Sequence, residues 1–188
     1  MKIFDVRNDS NNIQSLNLVN QNQNSLSFST FECEARAHDW KGLEVYIENP
    51  KIKVKNFYGF FLGTLVFDSQ ALEIFQTIFE MCGEILPLQV ERGPKLYLLN
   101  ILDCRNGLNY ETTEWSYYKD GSKGRIMKFG FHPERVINES SIFKISEVAK
   151  TRIFTYSGIK DAEDEFYGLY HKHNLTGLVF EEVYSSEL

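Results

Sequence analysis

The chain has 188 residues, one domain's length, with 43% hydrophobic, 14% aromatic and 24% charged residues. Such a chain buries enough apolar surface to fold and is neither disordered, collagenous nor repetitive. Twenty Lys and Arg face 26 Asp and Glu, a net charge of -6, and that sign argues against nucleic acid as a direct partner.

The first residues, Met1-Lys2-Ile3-Phe4-Asp5, meet an acid before an apolar signal region forms, and the longest strongly apolar uncharged run, Phe57 to Phe67, has 11 residues. A membrane span needs about 18, so the chain reads as cytoplasmic, with no membrane partner. From Asn8 to Ser29 it is crowded with Asn, Gln and Ser and reads as irregular. Leu43 to Glu48 alternates and is closed by Asn49-Pro50, then Lys51-Ile52-Lys53-Val54-Lys55 alternates again with three lysines on one face; these are two expected strands, the second with a lysine-protected edge.

Asp68 or Ser69 caps a helix whose apolar positions Ala71, Leu72, Ile74, Phe75, Ile78, Phe79 and Cys82 recur at helical spacing, and Gly83 is its expected left-handed stop. Ile85 to Val90 and Lys95 to Leu102 flank Glu91-Arg92-Gly93-Pro94 as a hairpin, with Pro87, which lacks an N–H, at an edge or bulge. Trp115 to Tyr118 and Arg125 to Phe131 enclose the loop at 119–124, a second hairpin with an exposed tip. Two short strands, Ile142 to Ile145 and Arg152 to Tyr156, precede an acidic turn that opens a helix with Ala162, Phe166, Leu169, Tyr170 and His173 on one stripe and Asn174 as its stop. Leu178 to Val183 forms a last strand, so strand, helix, turn and strand repeat the order of Leu65 to Val90. The expected fold is a single α+β domain over 1–188, mainly antiparallel sheet with hairpins and two main helices.

Charge is uneven. The last 28 residues hold Asp161, Glu163, Asp164, Glu165, Glu181, Glu182 and Glu187 against Lys172, so they carry -6 and the other 160 sum to zero. Such a run complements a helix N-terminus or steers a basic partner.

The spacings that chemistry requires are sparse. Gly121-Ser122-Lys123-Gly124 lacks the preceding glycine of a phosphate loop. His171 and His173 would stand about 200° apart on a helix, unsuited to one metal. Cys33, Cys82 and Cys104 are odd in number and lack the C-x-x-C spacing, which disfavours a disulfide framework or zinc site and predicts reduced, mostly buried thiols. Cys33 and His38 lie close in sequence without a third orienting group. No cofactor and no metal is expected.

Pro87-Leu88, the run Lys95-Leu96-Tyr97-Leu98-Leu99-Asn100-Ile101-Leu102-Asp103, Ile142 to Ile145, and Leu175-Thr176-Gly177-Leu178-Val179-Phe180-Glu181-Glu182-Val183 together resemble immunity protein family eleven of bacterial polymorphic toxin systems. The resemblance covers about residues 65–183; residues 1–60 match nothing in it, and the stretch from Trp115 to Gly130 is more aromatic and basic than the family leads one to expect. It implies an intracellular, non-catalytic antidote that binds a cognate toxin domain, a basic one if the acids steer it, with homo-oligomers possible. Asp161, Asp164 and Glu165 are the expected steering contacts, and Trp115, Tyr117 and Tyr118 the expected anchors, although strand-core packing also accounts for these aromatics. Two other readings stand beside it: a small-molecule or nucleotide-processing enzyme assembled from Asp103, Arg105, His132 and Glu134, and an adaptor domain with an exposed apolar patch.

Overall fold

A computed structural model describes residues 1–20, 31–91, 93–148 and 150–186. In chain order its elements are β1 (Lys2–Asn8), β2 (Leu16–Leu18), a 3-10 turn (Ala37–Asp39), β3 (Leu43–Ile47), β4 (Phe57–Tyr58), β5 (Thr64–Asp68), α1 (Ser69–Cys82), β6 (Gly83–Val90) and β7 (Leu96–Ile101). The second half contains β8 (Cys104–Arg105), β9 (Glu114–Tyr117), β10 (Lys123–Lys128), α2 (Pro133–Val136), β11 (Ile142–Ile145), β12 (Ile153–Ser157), α3 (Phe166–Lys172) and β13 (Leu178–Ser185). The class is α+β with two main helices. The strands form a six-stranded sheet ordered β2-β3-β6-β7-β5-β4, a five-stranded sheet ordered β13-β1-β12-β11-β8, and a separate ribbon, β9-β10.

The repeated order is a repeated topology. In the first half β5, α1 and β6 run strand, helix, parallel strand, with antiparallel β7 between the two strands and β4 flanking β5. In the second half β12, α3 and β13 do the same, with β11 flanking β12. The strand between β12 and β13 is β1, from the opposite end of the chain. The N-terminal stretch, irregular by composition from Asn8 onward and unmatched in the resemblance, thus begins with an inner strand of the second sheet. Met1 accordingly donates its ammonium to Ser186 O at 2.8 Å.

The helices join the halves. Asp68 caps α1 by accepting from Ala71 N at 2.8 Å, as expected of a residue that meets an unpaired first-turn N–H. The apolar stripe of α1 buries Ala71, Phe75, Ile78, Phe79 and Cys82. Phe166 of α3 sits among them, its ring centroid 4.6 Å from Phe75, 5.9 Å from Phe79 and 6.4 Å from Phe57. Strand alternation then divides each sheet between two cores. In β7, Leu99 and Ile101 face the helices, whereas Leu96 and Leu98 face a second core closed by Phe31, with Trp40, Phe60 and Phe61 packed against it. In β11 and β12, Ile142 and Ile153 face the helices, whereas Phe143, Phe154 and Tyr156 join a third core with Phe129, Phe131 and Val136.

Several local expectations change. Residues 51–55 form no strand: Asn49-Pro50 opens a loop in which Gln14 Nε2 donates to Pro50 O and Ile52 O at 3.2 and 2.9 Å. Gly83 is extended, φ 176, not left-handed; it is required because a Cβ there would lie 2.0 Å from Asn100 O of the neighbouring strand. The second helix starts only at Phe166, so Ala162 precedes it, while Asn174 ends it in the left-handed conformation, φ 51. Pro87 lies inside β6, but its carbonyl accepts from Trp40 Nε1 at 2.8 Å and β3 joins β6 only from Leu88 onward. Its missing N–H thus falls on an unladdered side, as an edge position requires.

Truncating Phe166 to alanine leaves a cavity at the junction of the two helices. Phe166→Ala is expected to lose about 3–5 kcal/mol of stability in urea unfolding, whereas Tyr117→Ala, on the exposed ribbon, loses less than about 1 kcal/mol.

Candidate functional site

The ribbon carries the expected aromatics. Trp115 faces inward: it packs against the third core, its ring stacks on Tyr110 at 6.2 Å and 12°, and the Lys123 ammonium stands 4.9 Å from its centroid. Tyr117 and Tyr118 are 64% and 65% exposed, and Met127 on the paired strand is 58% exposed. Trp115 therefore anchors the ribbon while the two tyrosines are displayed at its end. The tip itself is rigidly turned. Ser122 N and Oγ both donate to Asp120 Oδ1, at 2.9 and 2.6 Å, and these bonds hold the Asp120 carboxyl below its ordinary range. Gly121 supplies the left-handed residue, φ 83.

The acidic segment resolves into unlike parts. Asp161 and Asp164 are exposed in the loop before α3 and make no ion pair among the described residues. Glu165 is 1% exposed and its carboxylate accepts from Gly158 N, Ile159 N and Lys160 N at 2.9, 2.8 and 2.8 Å. It closes the loop from inside, so the expectation that Glu165 meets a partner is corrected: three inward backbone donors outcompete solvent for it. Glu163 pairs with Lys172, Glu181 with Arg7 and Glu182 with Lys2, and Glu187 lies outside the described residues. Among the described residues of the segment, Asp161 and Asp164 are the acids left without an ion pair or an inward partner. Asp164 stands on the rim of a groove of about 590 Å³ between α1 and α3, floored by Ile74, Ile78, Met81 and Leu169.

The two sets are not brought together. Phe166 and Tyr170 of α3 share a core with Ile142, Ile153 and Leu178 on one face of the five-stranded sheet, whereas Trp115 packs with Phe143, Phe154 and Tyr156 on the other. The acids and the aromatics occupy opposite faces.

The residues of the enzyme reading do other work. Arg105 grips Asp103 with Nε and Nη2, donates to Val136 O and Ser140 O, and lies 4.5 Å over the Phe143 ring. It is a buried tether between β8 and the α2 segment. His132 Nδ1 lies 3.3 Å from Glu134. A cleft of about 660 Å³ lies where the two halves meet, and none of these four lines it. Its wall includes Asp5, 1% exposed, which takes both Arg7 and Arg152. Among the described residues no three metal-ligating side chains converge, and no helix is long and apolar enough to cross a membrane.

One group of chemical interest escaped sequence reasoning. Lys144 is fully buried in β11, donates to Phe31 O, and is held at about 8, below the ordinary lysine value, chiefly by burial. Its only signal was position: within Ile142-Phe143-Lys144-Ile145, whose residues are all buried, the lysine had to be inside. No protein-family model matches the chain, and no curated protein matches it.

The lowered value of Lys144 carries a pH dependence. Below about pH 8 the amine is protonated in both states; between about 8 and 10.5 the unfolded chain holds more protons, so this group's contribution to stability rises with pH. Relative to Lys144→Met, in reducing buffer, the wild type is expected to gain about 1.5 kcal/mol from pH 8 to 9.5 in urea unfolding; a flat difference overturns the assignment.

Proposed function

We propose that this chain is an immunity-type antidote that binds a toxin domain directly and blocks it without a reaction of its own. The observation that carries the reading is the β9-β10 ribbon, which pairs with neither sheet and holds Tyr117, Tyr118 and Met127 in solvent. Large aromatic side chains on a rigid arm supply contact area at low entropic loss, and they dominate binding when a partner covers them. Trp115, locked beneath, keeps the arm preorganised. Asp161 and Asp164, on the far face, act earlier, as part of the field that a basic toxin domain meets on approach. The resemblance in Leu96 to Asp103 and Leu175 to Val183 supports the same reading.

The test pairs the protein with the toxin-like C-terminal domain encoded beside its gene. The expected complex is nanomolar or tighter. Tyr117→Ala combined with Tyr118→Ala is expected to weaken it at least tenfold, or about 1.4 kcal/mol, with the unfolding midpoint unchanged; equal affinity, or no binding at micromolar concentration, overturns the proposal. Asp161→Lys with Asp164→Lys is expected to slow association several-fold at low salt, with the rates converging at high salt. Unchanged association at low salt removes the steering role.

A further inference from the structure

Two of the three thiols meet at the seam between the halves. β8 pairs in parallel with β11, and this register places Cys104 beside Lys144. The Lys144 ammonium reaches the Phe31 carbonyl and so pins the segment that follows it. That segment is held further along by Asn100 Nδ2 donating to Glu34 O at 2.8 Å and by the Glu84 carboxylate accepting from Arg36 N and Ala37 N at 2.8 and 3.1 Å. Between these fixed points stands Cys33, whose thiol lies near enough to that of Cys104 for each to act on the other. Its backbone is left-handed, φ 66, a region that glycine occupies freely and a residue with a Cβ occupies at a cost. A side chain kept where the backbone favours glycine points to a use for that side chain.

The neighbours complete the site. Burial and the adjoining Cys104 push the Cys33 thiol up to about 12, while the Lys144 ammonium draws it the other way. Cys104, set beside Lys144 by the β8-β11 register, is the thiol placed to react first. Both are partly exposed, so a small oxidant can reach them, whereas Cys82 is buried in α1.

We propose that Cys33 and Cys104 are a redox modification site that closes reversibly to a disulfide by exchange with low-molecular-weight disulfides. The Cys104 thiolate attacks one sulfur of glutathione disulfide; the S–S bond breaks, a mixed disulfide forms and one glutathione leaves as thiolate. Cys33 then gives up its proton and attacks Cys104 Sγ, expelling the second glutathione. Two protein thiols are oxidised to one disulfide, and one glutathione disulfide is reduced to two glutathiones. The product ties the segment covering the six-stranded sheet to the edge of the five-stranded sheet. The pairing is independent of the toxin-binding reading.

The full chain is incubated with excess glutathione disulfide, quenched in acid, unfolded and alkylated, and its peptides are mapped by mass. The expected result is loss of two of the three alkylatable thiols, a Cys33–Cys104 crosslinked peptide, a free Cys82, and return of all three thiols with excess reduced glutathione. Cys33→Ser is expected to stop at a glutathione adduct on Cys104. Three thiols left free, a crosslink that includes Cys82, or a wild-type chain that stops at the mixed disulfide overturns the proposal, and the wild-type map decides the matter whether or not the variant folds.

Discussion

The contact on which the molecule depends is that of α1 with α3 through the Phe166 ring. Each half has only one long apolar helix face and one sheet, and neither could close a core alone. When Phe166 enters between Phe75, Phe79 and Phe57, the two helices become a shared layer and each sheet gains an inner face. What remains are the outer faces, and the chain covers each with local material: Phe31, Trp40, Phe60 and Phe61 over the first sheet, and the 106–136 region over the second. The loop before α3 exists to deliver Phe166 at the right place, which is why Glu165, its immediate neighbour, is given to backbone donors.

The second constraint is β1. Because the inner strand of the second half comes from the N-terminus, that sheet cannot close until both ends of the chain have met, and most of its pairing is non-local. The insertion also carries a charge into the sheet. Asp5 faces the third core, where Arg7 and Arg152 neutralise it, and the Arg152 guanidinium lies 4.7 Å over the Phe129 ring. A buried carboxylate between two arginines is a weak source of net stability but sets the register strongly, since a slip of one residue would leave all three charges unmatched.

The exposed surface follows from what the fold leaves unused. Surface ion pairs take Glu163, Glu181 and Glu182, and backbone donors take Glu165, so among the described residues of the acidic C-terminal segment Asp161 and Asp164 are the acids left without an ion pair. The aromatic excess behaves in the opposite way: most rings fill cores, whereas Tyr117 and Tyr118 stand in solvent on an arm that pairs with neither sheet. The proposed antidote reading uses this division, with charge met first on one face and aromatic contact made later on the other.

Periodicity and capping were sufficient for α1, for the β6-β7 and β9-β10 hairpins and for β11 to β13, because their signals are local: Asp68 caps three residues ahead, and the two apolar faces of β7 read as the unbroken run Leu96 to Leu99. The α+β class and the repeated order of elements were legible for the same reason. Long-range partners were not. That Met1 to Asn8 is an inner strand, that Gly83 is demanded by Asn100, that Glu165 turns inward, and that Cys33 finds Cys104 beside Lys144 all depend on groups distant in sequence. The sequence by itself determined which segments are helix or strand and which side of each is apolar. Only the tertiary structure decided which polar groups those segments would enclose and which would remain free, because burial and pairing belong to the three-dimensional neighbourhood and not to the residue.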